Sequence, residues 1–267
     1  MVLLAKRWRG RMEDVFLPLG FCILLVILWE GVVRLLGIRE FLLPPPSTIA
    51  RYMITSIHVL PPHLWATVYE IILGFILGFV VGLLLGIGIV YVKFMEKAVY
   101  PVIVAFQVIP KIAIAPLLLV WMGYGMWPKV TVAFLITFFP IVVSTVNGLR
   151  SVEPELMDLM NSLKANTRQK FIKVQFPNAL PYLFNGMEIA ITLAVIGAII
   201  GEFVGSDRGL GYLLMQGSYQ FKTDMVFTSL IFLAVLGVLF YEFVVLMERV
   251  FIPWHIRREP TTAIRGM

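Results

Sequence analysis

Charged side chains are scarce in this sequence of 267 residues. Only 14% of the residues are Asp, Glu, Lys or Arg, whereas 60% are hydrophobic and the mean hydropathy is +0.91. About a quarter of the residues of a typical soluble domain are charged, so this composition excludes an ordinary soluble protein and indicates an integral membrane protein. The net charge of +6 does not indicate nucleic-acid binding, because the cations stand at the ends of apolar blocks, where membrane topology places them.

Other absences exclude further classes of protein. The single cysteine, Cys22, excludes an internal disulfide. The sequence has no G-x-x-x-x-G-K-[ST] motif, so the chain itself does not bind ATP through a phosphate-binding loop. The three histidines, His58, His63 and His255, do not have the spacing of a metal site. No nucleophile stands with a matching base and acid, so we predict neither catalytic residues nor a metal site.

Long apolar segments are what the sequence does contain. A membrane-spanning helix needs about 20 predominantly apolar residues, and six segments qualify. We therefore predict an all-α membrane protein that forms one domain over residues 1–267 with six transmembrane helices. The predicted spans are Phe16–Leu36, Trp65–Val90, Tyr100–Met122, Lys129–Leu149, Tyr182–Val204 and Val226–Phe251. The first is predicted to be retained, because no small-residue cleavage site follows the basic N-terminal stretch.

The distribution of Lys and Arg predicts the orientation. Most of the 22 cations lie in the N-terminal tail, in the turn after the second span, between the fourth and fifth spans, and after the sixth span. The positive-inside rule then places both termini and the segment Ser151–Pro181 in the cytoplasm.

Glycines recur at every fourth position in two spans. This spacing places them on one helix face, where a neighbouring backbone can approach closely. Two interpretations stay open: tight packing inside one subunit, or an interface between subunits. The glycines are Gly74, Gly78, Gly82 and Gly86 in the second span and Gly197, Gly201 and Gly205 in the fifth.

The third span is interrupted by Pro101, Pro110 and Pro116. Prolines free backbone carbonyls, which then need partners inside the protein or in a water-filled cavity. Gln107 and Lys111 lie between these prolines, so we predict that they line a translocation pathway. A pair between Lys111 and a carboxylate is the structural alternative.

Several acidic residues also fall within predicted spans. Each costs roughly 2.5–3.5 kcal/mol at the centre of an isolated helix, so each must pair, face the interior or lie near an interface. Glu30 and Glu70 fall near the outer side, so pairing or a position at the membrane interface is sufficient to explain how they are tolerated. Arg34 is available as a partner for Glu30, four residues further along the helix. Glu202 is predicted to join Gln107 and Lys111 in the pathway.

Two outer segments are too short to span the membrane. Ser47 is predicted to cap a short helix after the three prolines at 44–46. The stretch that follows Gly209-Leu210-Gly211-Tyr212 is predicted to form a re-entrant or lid-like helix.

The segment Ser151–Pro181 is charged and helix-prone. Ser151 is predicted to cap a helix over about Val152–Leu163, with Pro154 in its first turn. Its apolar face comprises Leu156, Leu159, Met160 and Leu163. A second helix is predicted to start at Asn166, with Gln169 completing a capping box, and to end before Pro177. The pair could fit a groove in a partner protein, or it could lie on the membrane surface as an amphipathic hairpin.

This segment resembles the cytoplasmic signature of permease subunits of ATP-binding-cassette importers, E-A-A, three residues, G, nine residues, I-x-L-P. Asp158-Leu159-Met160 stands at E-A-A, Lys164 at the glycine, Val174 at the isoleucine and Phe176-Pro177 at the final pair. Because Lys164 replaces the glycine, Asn166 is expected to adopt the left-handed conformation of the turn.

The resemblance covers nearly the whole chain and includes FLLPPPSTI, IPKIAIAPLLLVWMGYG, FFPIVVSTVNGLRSVEPEL, FPNALPYLFNGMEIA and GEFVGSDRGLGYL. These stretches look like the branch that serves nitrate, sulfonates, taurine, riboflavin and thiamine pyrimidine precursors, and most like the members for the pyrimidine precursors or related heterocycles.

The resemblance implies a type I importer permease in the bacterial or archaeal cytoplasmic (inner) membrane. Its expected partners are a second copy of the chain, two separate ATPase subunits that bind ATP and Mg²⁺, and a soluble substrate-binding protein or lipoprotein. No cofactor is expected in this chain. The residues expected to couple to the ATPase are Glu155, Asp158, Leu159, Met160, Ser162, Leu163, Lys164, Ala165, Asn166 and Arg168.

Two other classes stay open on the sequence. A stand-alone secondary transporter needs no ATPase partner, and we find no convincing repeat between the halves of the chain. A membrane-embedded enzyme or scaffold is expected to cluster catalytic side chains.

Overall fold

The computed structural model describes residues 20–254. Every regular element in that range is helical, which confirms the predicted all-α class for the described part of the chain. Helix α1 covers residues 20–35. It is followed by α2 (Pro46–Thr55), α3 (Leu60–Tyr91), a π-helical turn (Met95–Val99), α4 (Tyr100–Phe106), α5 (Lys111–Met122) and α6 (Met126–Arg150). The second half contains α7 (Pro154–Ser162), α8 (Thr167–Lys170), a π-helical turn (Phe171–Gln175), α9 (Phe176–Gly205), α10 (Leu210–Tyr219) and α11 (Thr223–Phe251).

Within residues 20–254, four helical segments are long and apolar enough to cross a membrane: Leu60–Tyr91, Met126–Arg150, Thr167–Gly205 and Thr223–Phe251. They contain the second, fourth, fifth and sixth predicted spans. The first predicted span starts at Phe16, outside the described residues, and its described part is helical from residue 20 to 35. The count of six spans and the location of both termini stay predictions.

The third predicted span is a broken helix. The segments Met95–Phe106 and Lys111–Met122 are bent by 98° relative to each other. Pro110 stands directly before α5 with φ −64° and ψ 104°, an extended conformation outside the helical region. Proline lacks the N–H that would continue the hydrogen-bond ladder, so the helix ends and restarts here. The predicted interruption is confirmed at Pro110. It was wrong for the other two prolines, since Pro101 lies in the first turn of α4 and Pro116 lies inside α5.

The chain divides into two compact units, and the larger comprises Pro62–Tyr212 and the described part of Phe232–Met267. In it, the glycines of α3 pack against α6. A Cβ at Gly82 would lie 2.9 Å from Ile141 Cβ, and one at Gly86 would lie 2.6 Å from Thr145 Cβ. Small residues therefore let the two backbones approach closely, and packing inside the subunit is the interpretation that holds for this face.

Gly197 and Gly201 of the shorter series on α9 pack against α6 in the same way, whereas Gly205 faces Leu119 of α5. A Cβ at Gly197 would lie 2.6 Å from Ala133 Cα, and one at Gly201 would lie 2.7 Å from Lys129 Cα. Helix α6 is thus in close contact with both α3 and α9, and it contributes the fully buried side chains of Ile141 and Val142 to the core. This packing brings together the start of α3, the start of α6 and the end of α9, where the polar cluster described below is found.

The smaller unit comprises the described part of Met1–Pro61 together with Leu213–Ile231. Arg34 Nε lies 2.6 Å from Glu30 Oε1, which confirms the predicted pair. The Ser47 hydroxyl donates to the same carboxylate at 2.7 Å. The prediction that Ser47 caps α2 was wrong. The helix begins one residue earlier at Pro46, and Pro45, at the cap position, has no side-chain acceptor. The Ser47 N–H in the first turn donates instead to Glu30 Oε2 at 3.0 Å.

Candidate coupling surface, cavity and outer cluster

The cytoplasmic signature forms two helices joined by a tight turn. Helix α7 begins at Pro154, with Glu153 before it and no side-chain cap, so the prediction that Ser151 caps this helix was wrong. The Ser151 hydroxyl instead donates to the Gly148 carbonyl at 2.9 Å and accepts from Asn178 at 2.8 Å. It therefore ties the end of α6 to the start of α9.

We predicted from the sequence that the helix starting at Asn166 ends before Pro177, and this prediction was wrong. Helix α8 continues through the π-helical turn into α9, and Pro177 lies in the first turn of α9. A π-helical turn shifts the hydrogen-bond register, and a proline in a first turn requires no partner for its nitrogen. The coupling segment is therefore continuous with a membrane-spanning helix, and a displacement of α8 would pass directly to α9.

Lys164 forms the turn between the two helices. Its φ of 52° lies in the left-handed region, whereas Asn166 is extended with φ −75° and ψ 166°. Lys164 N–H donates to the Asn161 carbonyl at 2.9 Å, and Ala165 N–H donates to the Met160 carbonyl at 3.0 Å. These two bonds form a Schellman motif. The expectation that Asn166 would adopt the left-handed conformation was wrong, because Lys164 adopts it.

Asn166 instead caps α8. Its side-chain oxygen accepts from Gln169 N–H at 2.8 Å, and its own N–H donates to Gln169 Oε1 at 2.9 Å. This confirms the predicted capping box. Lys170 Nζ donates to Asn161 Oδ1 at 2.6 Å and so links α8 back to α7. The two helices are held at a defined angle by backbone and side-chain bonds.

Glycine at position 164 is expected to stabilise the protein. A lysine in the left-handed conformation carries a steric cost of roughly 1–2 kcal/mol that glycine does not. We expect Lys164→Gly to raise the midpoint of thermal unfolding by a few degrees, measured on the purified protein in detergent. Arg168→Gly, at an exposed position inside helix α8, is the matched control and is expected to lower the midpoint. A lower midpoint for Lys164→Gly would contradict this account of the turn.

The apolar residues of α7 divide into two sets. Leu156, Leu159 and Leu163 are 43%, 54% and 68% exposed, whereas Met157 and Met160 are half-buried. The exposed leucines follow helical spacing and form one outward face. The other predicted coupling residues that are exposed are Glu155, Asp158, Ser162, Lys164, Asn166 and Arg168, whereas Ala165 is half-buried.

A cavity of about 510 Å³ lies beside the break between α4 and α5. Two of the three predicted pathway residues, Gln107 and Lys111, line it, together with the Ser144 hydroxyl and the Phe139 ring. The remaining lining is largely apolar and comprises Pro110, Ile112, Ile136, Pro140, Val143, Ile189, Leu193, Ile196 and Ile200. Helices α6 and α9 thus form its wall.

Lys111 supplies the positive charge of this cavity. Its ammonium donates to the Gln107 carbonyl at the end of α4 and lies 4.8 Å from the centre of the Phe139 ring. The side chain therefore bridges the break in the third span. These contacts are with a carbonyl and an aromatic face rather than with a carboxylate, and they leave donor capacity on the ammonium.

Glu202, the third predicted pathway residue, does not line the cavity. It is buried near the start of α3, the start of α6 and the end of α9, which the predicted orientation places on the outer side. We call the group found there the outer cluster, and it comprises His63, Thr67, Glu70, Lys129 and Glu202. Lys129 pairs with Glu70 and donates to Ser206 Oγ at 3.0 Å. Thr67 donates its hydroxyl to Glu202. Burial removes these charges from water, so their pairing is what makes the cluster tolerable.

Sequence reasoning identified Glu70 and Glu202 separately but missed their partners. Lys129 is predicted only as the first residue of the fourth span, and the sequence predicts no role for Thr67. One usable signal was present: two acidic residues and one lysine stand near the outer ends of three different spans. A helical bundle brings such ends together.

The arrangement favours transport, because its main feature is a cavity beside a broken helix. Among the residues that the structure describes, no group of three His, Cys, Asp or Glu side chains is placed to hold a metal ion. The features present are an exposed apolar face on α7, a cavity with one cation, and a polar cluster at the opposite end of the helices.

The chain belongs to the family described as "Binding-protein-dependent transport system inner membrane component", which matches residues 74–254. It is therefore a permease subunit of an ATP-binding-cassette importer for small solutes and not an enzyme, since ATP hydrolysis in this family occurs in a partner ATPase.

Two relatives are similar along most of their length. The formylaminopyrimidine transport permease protein ThiX of Halalkalibacterium halodurans is 39% identical over 238 residues, covering 89% of this chain and 95% of that protein. The riboflavin transport system permease protein RibX of Chloroflexus aurantiacus is 40% identical over 233 residues, covering 86% and 87%.

A solved structure shares the fold. An inward-facing conformation of the MetNI methionine ABC transporter matches with a TM-score of 0.65 at 23% identity, over 73% of this chain and 97% of the matched chain. This supports the predicted type I importer permease fold.

Proposed function

We propose that this subunit couples ATP hydrolysis in a separate ATPase to solute import through the coupling segment Ser151–Phe171. The observation that carries the proposal is the exposed leucine face of α7, held by a Schellman turn and continuous through α8 with the spanning helix α9. An exposed apolar face on a charged cytoplasmic segment fits a groove of a partner protein. Closure of the ATPase dimer would then move α9 as a rigid element.

The translocation pathway is proposed to run past the cavity at the break in the third span. Gln107 and Lys111 supply its polar groups, and a broken helix at membrane depth is tolerated where it lines such a cavity. Glu202 is retained as a pathway candidate, with its carboxylate in the outer cluster. Alternating access would expose the cavity to each side in turn.

The assembly is proposed to contain two copies of this chain, two ATPase subunits that carry ATP and Mg²⁺, and a soluble binding protein or lipoprotein on the outer face. It lies in the cytoplasmic membrane of a bacterium or archaeon. The similarity to ThiX and RibX supports a heterocyclic solute, with a thiamine pyrimidine precursor as the first candidate and riboflavin, sulfonates or nitrate as others.

Co-purification tests the proposed assembly. An affinity-tagged chain, solubilised in mild detergent, is expected to retain an ATPase in a 1:1 ratio of subunits, measured by quantitative mass spectrometry. A chain that is folded and active in uptake but carries no ATPase would contradict the proposal and favour a stand-alone transporter.

Lys111→Ala is expected to reduce solute uptake by about 10- to 100-fold, because a charge-assisted hydrogen bond contributes roughly 1.5–3 kcal/mol. Uptake into membrane vesicles and the amount of bound ATPase are the two measurements. Lys111→Arg keeps the positive charge and is expected to retain more activity than the alanine variant.

The bound ATPase separates the two roles open to Lys111. If the ATPase stays bound to the Lys111→Ala variant, the loss of uptake shows that Lys111 acts in the translocation pathway. Loss of the ATPase would show instead that Lys111 is needed to hold the broken helix together.

A further inference from the structure

Side chains from distant parts of the chain hold the backbone that follows α9. Gly209 N–H donates to His63 Nδ1 at 3.1 Å, and Leu210 N–H donates to Thr67 Oγ1 at 2.8 Å. Glu202 accepts from Gly211 N–H and from Tyr212 N–H at 3.3 Å. Four successive amides therefore have side-chain acceptors on α3 and α9.

These amides are the groups that the start of a helix leaves without partners. The first four N–H groups of a helix have no intrahelical acceptor, and a nearby Ser, Thr, Asp or Asn usually caps one of them. In α10 the acceptors come instead from His63, Thr67 and Glu202. A buried carboxylate at this position also complements the helix dipole. The start of α10 is thus fixed to the ends of two spanning helices.

The fit around Glu202 leaves no room for adjustment. Gly209 is buried with φ +126°, and a Cβ there would overlap the Glu202 carboxylate. Gly211 is similarly close, since its Cβ would lie 2.8 Å from Glu202 Oε2. At the other end of the loop, Lys129 holds Ser206. The loop is therefore anchored on both sides of its exposed tip, Asp207 and Arg208.

Thr67 is the shared member of this network. Its hydroxyl donates to Glu202 and accepts from Leu210 N–H, so it orients the carboxylate and the backbone together. His63 adds a second anchor, because its ring also stacks on Tyr212 with the centroids 5.8 Å apart and the planes 3° from parallel. The positive-inside orientation places this loop on the outer side, opposite the coupling segment.

We propose that Thr67 and His63 are positioning residues that hold the loop Ser206–Tyr212 rigid, so that the Asp207–Arg208 tip is presented in one conformation to the soluble binding protein. This inference rests on the proposed function for the identity of the partner. A preformed tip avoids the entropy of ordering a loop on contact, and this raises the affinity of the binding protein without adding a contact. A tip with one negative and one positive charge fits a partner surface with the complementary pair.

The rigidity is tested directly by spin labelling. Cys22→Ser removes the single cysteine, and Asp207→Cys then carries a nitroxide label in lipid nanodiscs. An immobilised spectrum is expected in this background. Thr67→Val keeps the shape and removes the hydroxyl contacts with Glu202, the Leu210 N–H and the His63 carbonyl. It is expected to shorten the correlation time of the label several-fold, and Thr67→Ser is expected to restore it. Thr145→Val is the matched control, since its buried hydroxyl bonds only to the Ile141 carbonyl of its own helix.

The role in partner contact has a separate measurement. In the reconstituted complex, Thr67→Val is expected to raise by about tenfold the concentration of binding protein that half-stimulates ATP hydrolysis, whereas the control Thr145→Val is expected to leave that concentration unchanged. His63→Phe keeps the ring stack and loses the Nδ1 acceptor, so a smaller rise in the same direction is expected. If Thr67→Val does not fold, His63→Phe supplies both measurements.

The outcomes separate this inference from the proposed function. A label that stays immobile in both variants overturns the positioning role, whatever partners the chain has. A mobile label with unchanged half-stimulation overturns the presentation of the tip to the binding protein. A chain that has no ATPase or binding-protein partner overturns the proposed function, and with it the binding protein as the partner of the tip. The spin-label result still decides whether the loop is rigid.

Discussion

Leu159→Glu is expected to abolish solute uptake while the complex still hydrolyses ATP. Leu159 is 54% exposed at the centre of the α7 leucine face, between Leu156 and Leu163. Seating a leucine in an apolar groove contributes about 1.5–3 kcal/mol. A carboxylate in the same place loses that contribution and adds a desolvation penalty of several kcal/mol. The lost binding free energy is therefore large enough to release α7 from the groove of its partner. The helix itself stays folded, because position 159 is exposed.

Uptake and ATP hydrolysis, measured in the same proteoliposomes, give the coupling ratio that this prediction concerns. Leu159→Met is the matched control, because methionine preserves the apolar contact and is expected to keep nearly full coupling. Wild-type uptake by Leu159→Glu would show that α7 lies free or on the membrane surface, as in the amphipathic-hairpin interpretation.

Gly78→Leu is expected to remove the folded protein from the membrane. A Cβ at position 78 would overlap the Thr137 hydroxyl and lie 3.2 Å from the backbone nitrogen of Phe138. A backbone atom cannot rotate away as a side chain can, so α3 and α6 would have to separate. Overpacking a well-packed core costs about 1–3 kcal/mol and occasionally more. Gly78→Leu is expected to destabilise the protein by about 3 kcal/mol or more. The effect is at the upper end of this range because close packing, rather than the hydrophobic effect, holds helices together in lipid.

The amount of protein in membranes and the thermal midpoint in detergent measure this effect. Gly237→Leu is the matched control, because it makes the same change in spanning helix α11, where a Cβ meets nothing within 4 Å. Similar losses from both substitutions would show that leucine at a spanning glycine is harmful in general. A normal midpoint for Gly78→Leu would contradict the close α3–α6 contact.

The parts of the fold that could be predicted are those that depend on residues close together in the sequence. The spans followed from long apolar runs, and the break in the third span followed from proline chemistry at Pro110, which acts over one or two residues. The capping box at Asn166 and Gln169 was predictable for the same reason, since all its atoms lie within four positions of the sequence. Such features require no knowledge of tertiary packing.

Features that depend on contacts across the sequence were missed. Glu70 and Lys129 are 59 positions apart, and Thr67 and Glu202 are 135 apart; only the packing of α3, α6 and α9 brings them together. Lys164 was misjudged because the bonds that close the turn, to Asn161 and Met160, outweigh the steric preference of a single residue for negative φ. Pro177 was read as a helix end because the preceding π-helical turn is not visible in the sequence.

In the candidate site, too, the features that are local in the sequence could be predicted, and those that depend on tertiary contacts could not. The exposed leucine face of α7 could be predicted from helical spacing, and the structure refines it by turning Met160 inward. Gln107 and Lys111 could be predicted from their place between prolines. The outer cluster could not be assembled in advance, because a buried carboxylate reveals its role only through its partners.

ATP dependence of transport tests the central claim most directly. The chain is reconstituted in proteoliposomes with its ATPase and binding protein, and uptake of labelled solute is measured with ATP, with a non-hydrolysable analogue, and with an ion gradient alone. The account predicts uptake only when ATP is hydrolysed and the binding protein is present. Uptake by this chain alone, driven by an ion gradient without ATP, would contradict it.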